Sequence, residues 1–372
     1  MSIAPAEPPP AAVPPSTPEA AVHSRGYWAE VWIRYRRRKL AMIALIYVLL
    51  LTIAAFAAPM IAGRKPIVCR YNGEIYFPCL GYFRPGWENV VFKEKGFRRT
   101  KFADSLSKDP DSWAVWPPIY QDPFLRVREG EFPRVPENPR NGGPPNRYSP
   151  FGTDIQGIDV FANMLHATRT ALAVGFFSMG IAASIGITLG AAAGYLGGLV
   201  DTLISRFIEI VMCVPTLVLI LAMISIVERP TIWHIMAVIG LTGWTSIARL
   251  TRAEFLKFRN ADYVLAAEAL GAGRLRIMFR HILPNALAPV LVPITFGIAS
   301  AILLESTLSF IGFGPQGEPS WGKILDGARA HLDMWWLIVF PGGAIFLAVL
   351  AYNLIGEGLQ EATDPRLRGT GK

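Results

Sequence analysis

Charge is scarce in this sequence. Asp, Glu, Lys and Arg make up 17% of 372 residues while hydrophobic residues reach 52%, and the mean hydropathy is +0.35. That balance argues against an ordinary soluble domain and makes a bilayer the expected solvent. No Gly-rich loop ending in Gly-Lys-Ser or Gly-Lys-Thr occurs, so the chain has no phosphate-cradling nucleotide loop of its own. A Gly-x-Ser-x-Gly nucleophile turn is also missing. Histidines number five, and His234 and His281 lack companions at ligand spacing, so neither a metal centre nor histidine-based catalysis is expected. The net charge of +8 lies beside apolar runs and through one polar stretch, without a basic helix or aromatic platform, which argues against nucleic acid as a partner. Of three cysteines, Cys213 sits in an apolar run, while Cys69 and Cys79 share the polar stretch and are candidates for a local disulfide in an oxidising compartment. Spacing alone leaves joined and free thiols both open.

Met1 to Ala21 is Pro- and Ala-rich and lacks the positive start and apolar middle of a secretory signal, so it reads as a disordered tail retained in the mature chain. The first apolar run follows Arg34, Arg36, Arg37, Arg38 and Lys39, a cytoplasmic flank. A crossing helix needs about 20 apolar residues. Six stretches approach this: Ala41 to Ile61, Thr170 to Leu196, Phe207 to Val227, Ile232 to Leu250, Ala286 to Gly312 and Trp335 to Ile355. The expected architecture is an all-α membrane protein. Residues 1–39 form the tail and basic cluster, 40–62 the first span, 63–166 a periplasmic insert, and 167–372 a core of five further spans.

An even number of spans puts both termini in the cytoplasm, with segment 197–206 and loop 251–285. Arg249, Arg252, Lys257, Arg259, Arg274, Arg276 and Arg280 crowd that loop, as the positive-inside rule requires. The insert, with Pro117, Pro118, Pro144 and Pro145, reads as an extracytoplasmic elaboration more than as a folded enzyme. Gly175, Gly180, Gly186 and Gly190 read as helix-packing positions, and Pro215, Pro289, Pro293 and Pro341 as kinks that tune packing or gate.

The loop carries the informative segment. Asp262-Tyr263-Val264-Leu265-Ala266-Ala267-Glu268-Ala269-Leu270-Gly271 predicts a short helix capped by Asp262 and ended by a left-handed Gly271. An apolar helix outside the membrane needs a groove in a partner. Next, Leu275, Met278, Phe279 and Ile282 predict one apolar face with Arg276 and Arg280 off it, and Pro284 ends the piece. The bland alternative is a plain connection between two spans.

These residues resemble a known family. Ala266-Ala267, Gly271 and Arg280-His281-Ile282-Leu283-Pro284-Asn285 are similar to the coupling loop of type I ABC importer permeases. Further stretches resemble the dipeptide and oligopeptide branch: Phe151-Gly152-Thr153-Asp154, Gly157-Ile158-Asp159-Val160, Glu305 to Gly314, Pro319-Ser320-Trp321-Gly322 and Asp364-Pro365-Arg366-Leu367-Arg368. Arg70-Tyr71-Asn72-Gly73, Tyr76-Phe77-Pro78 and Trp116-Pro117-Pro118-Ile119 look like the Yej-type peptide and microcin C importer permease.

The resemblance implies an inner-membrane permease for peptides that works by alternating access. Its partners would be two ABC ATPases holding ATP and magnesium, a second homologous permease and a periplasmic peptide-binding protein. Coupling would fall to Asp262, Tyr263, Leu265, Ala266, Ala267, Leu270, Gly271, Arg280, His281, Pro284 and Asn285. Leu265 departs from the pattern, standing where the family usually has a glutamate that would complete a capping box with Asp262.

Glu305, a carboxylate in an apolar span, reads either as part of a water-filled route or as a hydrogen-bonded structural group with Ser306, Thr307 and Ser309 as neighbours. Arg206 and Glu209 read as an interfacial pair. The rival function is an ion-gradient-driven secondary transporter, though that class usually carries ionisable groups near the bilayer centre. A second rival, an enzyme in the insert using Asp154 and Asp159 as paired acids, is weakened by the match of both residues to the permease pattern.

Overall fold

The computed structural model describes residues 27–71, 73–83, 110–128 and 135–363. The tail at 1–26, Asn72 of the first insert motif and the motif Asp364 to Arg368 lie outside the described residues.

Helix α1 (Tyr27–Arg37) leads into α2 (Lys39–Ile61), and both pack on the end of the last helix, α10 (Trp336–Thr363). Tyr35 and Val31 bury there against Ala41 and Ala362, and Arg38 pairs with Glu361. The core helices between are α3 (Val160–Leu196), α4 (Gly198–Met212), α5 (Thr216–Ile224), α6 (Ile232–Phe258) and α8 (Leu283–Phe310). Two short helices, α7 (Asp262–Ala269) and α9 (Trp321–Ala328), sit at opposite ends of α8.

Among the described residues, four helical runs can cross a membrane by length and composition: α2, α3, Arg274–Phe310 and α10. The bent pair α4 and α5 makes a fifth if counted as one span. Helix α6 has the length but is not among them: Arg249, Arg252, Glu254 and Lys257 charge its second half, and His234 and two threonines, Thr242 and Thr245, lie in its first. Its Thr242 and Thr245 are buried, with the Thr242 hydroxyl bonding back to Val238 and Ile239 carbonyls, so these polar groups need not meet lipid.

Small residues set the α3–α6 seam. A Cβ on Gly186 would lie 2.8 Å from the Trp244 carbonyl oxygen and one on Gly194 2.7 Å from that of Arg252, while one on Gly190 would collide with the Ala248 carbonyl. Gly175 faces Ile298 of α8 in the same way. Gly180 faces open space, so its expected packing role is absent.

Several expectations need correction. The second helix starts at Val160 rather than Thr170, because Asp159 caps it by accepting from the Ala162 N–H at 2.7 Å. Segment 197–206, expected only as a connection between spans, is largely helical: Gly197 and Gly198, both at positive φ, make a tight elbow and α4 starts at once. The third span is not one straight helix from Phe207 to Val227. Its two pieces meet at 84°, across a break that ends at Pro215, which lacks the N–H needed to continue α4.

The all-α expectation also fails in the insert. Val68–Tyr71 (β1), Glu74–Tyr76 (β2) and Trp113–Val115 (β3) form an antiparallel sheet in the order β2-β1-β3. Cys69 lies opposite both Tyr76 and Ala114. The β-branched and aromatic residues of these segments suit a pleated, half-buried surface. The sheet is laced to the bundle: the Gly63 N–H donates to the Ile119 carbonyl at 3.1 Å, and a ring nitrogen of His166 on α3 meets the Ala62 carbonyl at 2.9 Å. Tyr82 donates to Asp122 at 2.8 Å, and Arg169 donates to the Tyr82 carbonyl at 2.9 Å.

Candidate functional site around helix α7

Helix α7 is short, so its ends decide whether it forms. Its N-cap is Ala261, without a side-chain cap, and Asp262 is the first helical residue. That corrects the expected Asp262 cap; the carboxylate instead stands in the first turn, where the helix dipole favours it. The C-terminus follows the expectation closely. Gly271, at φ +79, donates to the Glu268 carbonyl at 2.9 Å and Ala272 donates to that of Ala267 at 3.0 Å, the two bonds of a Schellman ending.

One face of α7 is anchored and the other is open. Val264 buries against Phe255, Ile277, Met278 and Ile282, and Ala267 is buried on the same side of the helix. Tyr263, Leu265, Ala266, Glu268 and Leu270 stay exposed, Leu270 at 88%. Asn285 donates to the His281 carbonyl at 3.0 Å and reaches the Tyr263 hydroxyl at 3.5 Å, linking α7 to the base of α8. Partial burial raises the Tyr263 phenol pKa, and the Asn285 bond opposes the rise.

The amphipathic stretch is corrected too. Leu275 and Phe279 are exposed, while Ile277, Met278 and Ile282 are buried. Ile277–Ile282 is π-helical, and its wider turn brings residues roughly four to five apart onto one face, so Ile277 and Met278 both bury with Ile282. Pro284 does not end the run. Lacking an N–H for the Arg280 carbonyl, it enters the first turn of α8, and the wider π turn leads into it. Arg280, Pro284 and Asn285 are exposed and His281 is half-buried, so the structure groups the sequence-selected residues on one end of the bundle.

Glu305 lies far from this face. It is 1% exposed and accepts from Ser309 at 2.7 Å and Ser320 at 2.8 Å, with the charge of Lys323 facing it. Ser320 also caps α9 through the Gly322 N–H at 3.1 Å. Gly322 has no room for a side chain against the Ser306 carbonyl, so α8 and α9 touch backbone to backbone. Thr307, an expected partner, bonds instead to the Leu303 carbonyl.

Cys69 and Cys79 are not joined in this structure; both are buried thiols, and Cys79 donates to the Ile67 carbonyl. Burial pushes the Cys69 thiol up to about 11 and raises that of Cys79. Arg206 and Glu209 pair at 2.6 Å as expected. Missed from the sequence was Asp201 with Arg252, a two-pronged pair joining α4 to α6, its second bond 2.7 Å long. The two residues are 51 apart, and no local pattern joins them.

Residues 186–369 match the family model for the binding-protein-dependent transport system inner membrane component, and residues 26–72 match that for the N-terminal TM domain of oligopeptide transport permease C. The inner membrane ABC transporter permease protein YejE of Escherichia coli K12 is 34% identical over 351 residues, covering 90% of this chain and 96% of that protein. The peptidoglycan transport system permease protein YejE of Agrobacterium fabrum is 33% identical, covering 92% and 90%. The dipeptide transport system permease protein DppC of Alkalihalophilus pseudofirmus is 39% identical over 220 residues, 59% of this chain and 72% of that one.

Proposed function

Because this chain belongs to the family of binding-protein-dependent transport system inner membrane components, we propose that it is a permease subunit of an ATP-driven importer for peptides or peptide-like compounds. Its YejE relatives cover too much of the chain to leave out the insert, which supports the Yej-type branch over the shorter dipeptide type. Relatives named for dipeptide and peptidoglycan transport support a peptide-bearing substrate.

The observation that carries the reading is α7: a helix held by one face, with Tyr263, Leu265 and Leu270 exposed on the other. Left in water, Tyr263, Leu265 and Leu270 have no reason to be there; in the groove of an ATPase they do. Displacement of α7 passes through Phe255 and Ile282 to α6 and α8, and through the α3–α6 glycine seam to the bundle. Two ABC ATPases supply ATP and magnesium, a second permease completes the path, and a periplasmic binding protein delivers substrate. The topology proposed is six spans, with the bent α4–α5 pair and α6 counted. The insert is extracytoplasmic and both termini are cytoplasmic in the inner membrane.

The test is affinity isolation of the C-terminally tagged chain from gently solubilised membranes, followed by mass spectrometry. Co-purification of Walker-motif ATPases with a second permease is expected. Isolation of the chain alone, transporting without ATP after reconstitution, would overturn the importer reading and favour an ion-gradient mechanism.

A further inference from the structure

Beside α7 lies a second feature that coupling does not explain. A polar cleft of about 580 Å³ opens between the end of α3, the start of α4 and the α7 loop, lined among others by Tyr195, Val200, Arg259, Asn260, Glu268 and Arg274 and bordered by Leu265, which it shares with the open face of α7. Neighbouring cations are neutralised, Arg252 by Asp201 and Lys257 by Glu254. Arg259 and Arg274 make no ion pair with any described residue. Both line the cleft together with Glu268 and Tyr195, so the three charges share one cavity. The guanidinium of Arg259 lies over the Gly197 elbow, 3.1 Å from where a Cβ would stand. With two cations against one anion, the cleft is short of a negative group.

What adjoins it selects the ligand. From Val200, α4 presents Leu203 and Phe207 on the same face, 70% and 53% exposed, and Ile210 follows at 65%. A basic polar cleft at the head of an apolar stripe fits an amphiphile with an anionic head, and basic pockets at the ends of membrane helices are where acidic lipids settle. We propose that this cleft binds the phosphate headgroup of an acidic phospholipid, with Arg259 and Arg274 on the phosphate, Tyr195 and Asn260 at its rim, and acyl chains along Leu203 and Phe207. The inference rests on the chain being membrane-embedded and not on its peptide substrate.

The experiment uses full-length chain, wild type and Arg259→Gln/Arg274→Gln, in nanodiscs of phosphatidylethanolamine with 20% phosphatidylglycerol as the probe, about a fifth of the lipid by design. Each arginine contributes about 1 kcal/mol to headgroup binding, so the double variant should hold phosphatidylglycerol about thirtyfold more weakly by native mass spectrometry. Phosphatidylethanolamine retention should not change, and high salt should weaken the wild type toward the variant. Inorganic phosphate should compete only at far higher concentration, since it lacks the chains; competition at equal concentration would reduce the site to a free-anion site and overturn the lipid assignment. Equal retention by wild type and variant would also overturn it. So would protection of Arg259 and Arg274 from a guanidine-directed reagent by co-purified ATPase but not by lipid, which would assign the cleft to an acidic protein segment. Partner isolation and transport are read separately, so failure here leaves the importer reading standing. A single Val200→Trp variant, which fills the apolar edge without touching charge, should lower retention too.

Discussion

Ser320 donates its hydroxyl to Glu305 at 2.8 Å while accepting the Gly322 N–H, so one serine both caps α9 and fastens it to the C-terminal end of α8. Glu305→Ala leaves the Ser309 and Ser320 hydroxyls buried without their acceptor. Loss of about 2–4 kcal/mol of stability is expected in detergent melts. Glu305→Gln keeps an acceptor oxygen and should lose less than half as much; an equal loss would mean that the charge, and not the hydrogen bonds, holds α9.

Gly271→Ala forces a β-carbon into a left-handed position where space is free, so only conformational strain is added. That costs about 1–2 kcal/mol. Gly273→Ala, at φ −67, should cost nearly nothing. The expected pair of results is a frayed α7 with lowered transport-linked ATPase in the first variant and normal activity in the second. Identical behaviour would remove the Schellman ending from the coupling argument.

Leu270→Ser changes a side chain that is 88% exposed in the isolated chain. Melting should be unchanged, while affinity for the ATPase falls roughly tenfold, the scale of burying one leucine. A lowered melting temperature with unaltered affinity would place Leu270 in the fold instead of the interface.

Gly190→Ala drives a methyl into the Ala248 carbonyl and should cost about 1–3 kcal/mol by parting α3 from α6. Gly180→Ala, facing open space, is the control and should melt like the parent.

Asp159 gives the pH dependence. Burial lifts its pKa from 3.8 to about 6, so between those values the folded chain holds a proton that the unfolded chain has released. Stability therefore falls as pH rises from about 4 to 6 and is constant beyond, a loss on the order of 3 kcal/mol from this group. Asp159→Asn keeps an oxygen for the Ala162 N–H and removes the charge. It should flatten that stretch of the curve and stabilise the chain at pH 7.5. A variant less stable than the parent at pH 7.5 would show that the ionised carboxylate is needed there.

The sequence made legible what repeats locally. Long apolar runs marked the spans, and the Gly271 ending was visible because only glycine takes that backbone at no steric cost. The Asp262 cap was misplaced by one residue, since Ala261 and Asp262 differ in backbone angle and not in pattern. The buried face after Arg274 was misassigned because a π turn changes the period on which such a reading rests. The Asp201–Arg252 pair and the pairing of β1 with β3 depend on partners far along the chain, where neither propensity nor spacing reaches, whereas β1 and β2 are joined locally across Asn72-Gly73.

Trp336 donates its indole N–H to the Thr153 carbonyl at 3.1 Å, and Trp321 donates to that of Met164 at 3.1 Å, contacts spanning 183 and 157 residues. During synthesis, at about 5–20 residues per second, the polypeptide around Thr153 waits roughly 10–40 s for Trp336 to emerge. Through that interval the rim of the bundle around Thr153 stands open, the Thr153 and Met164 carbonyls unmet. Truncation before Trp336 would therefore leave a protein whose first helices are inserted but whose rim never closes, an obvious mark for the proteases that clear orphaned membrane chains.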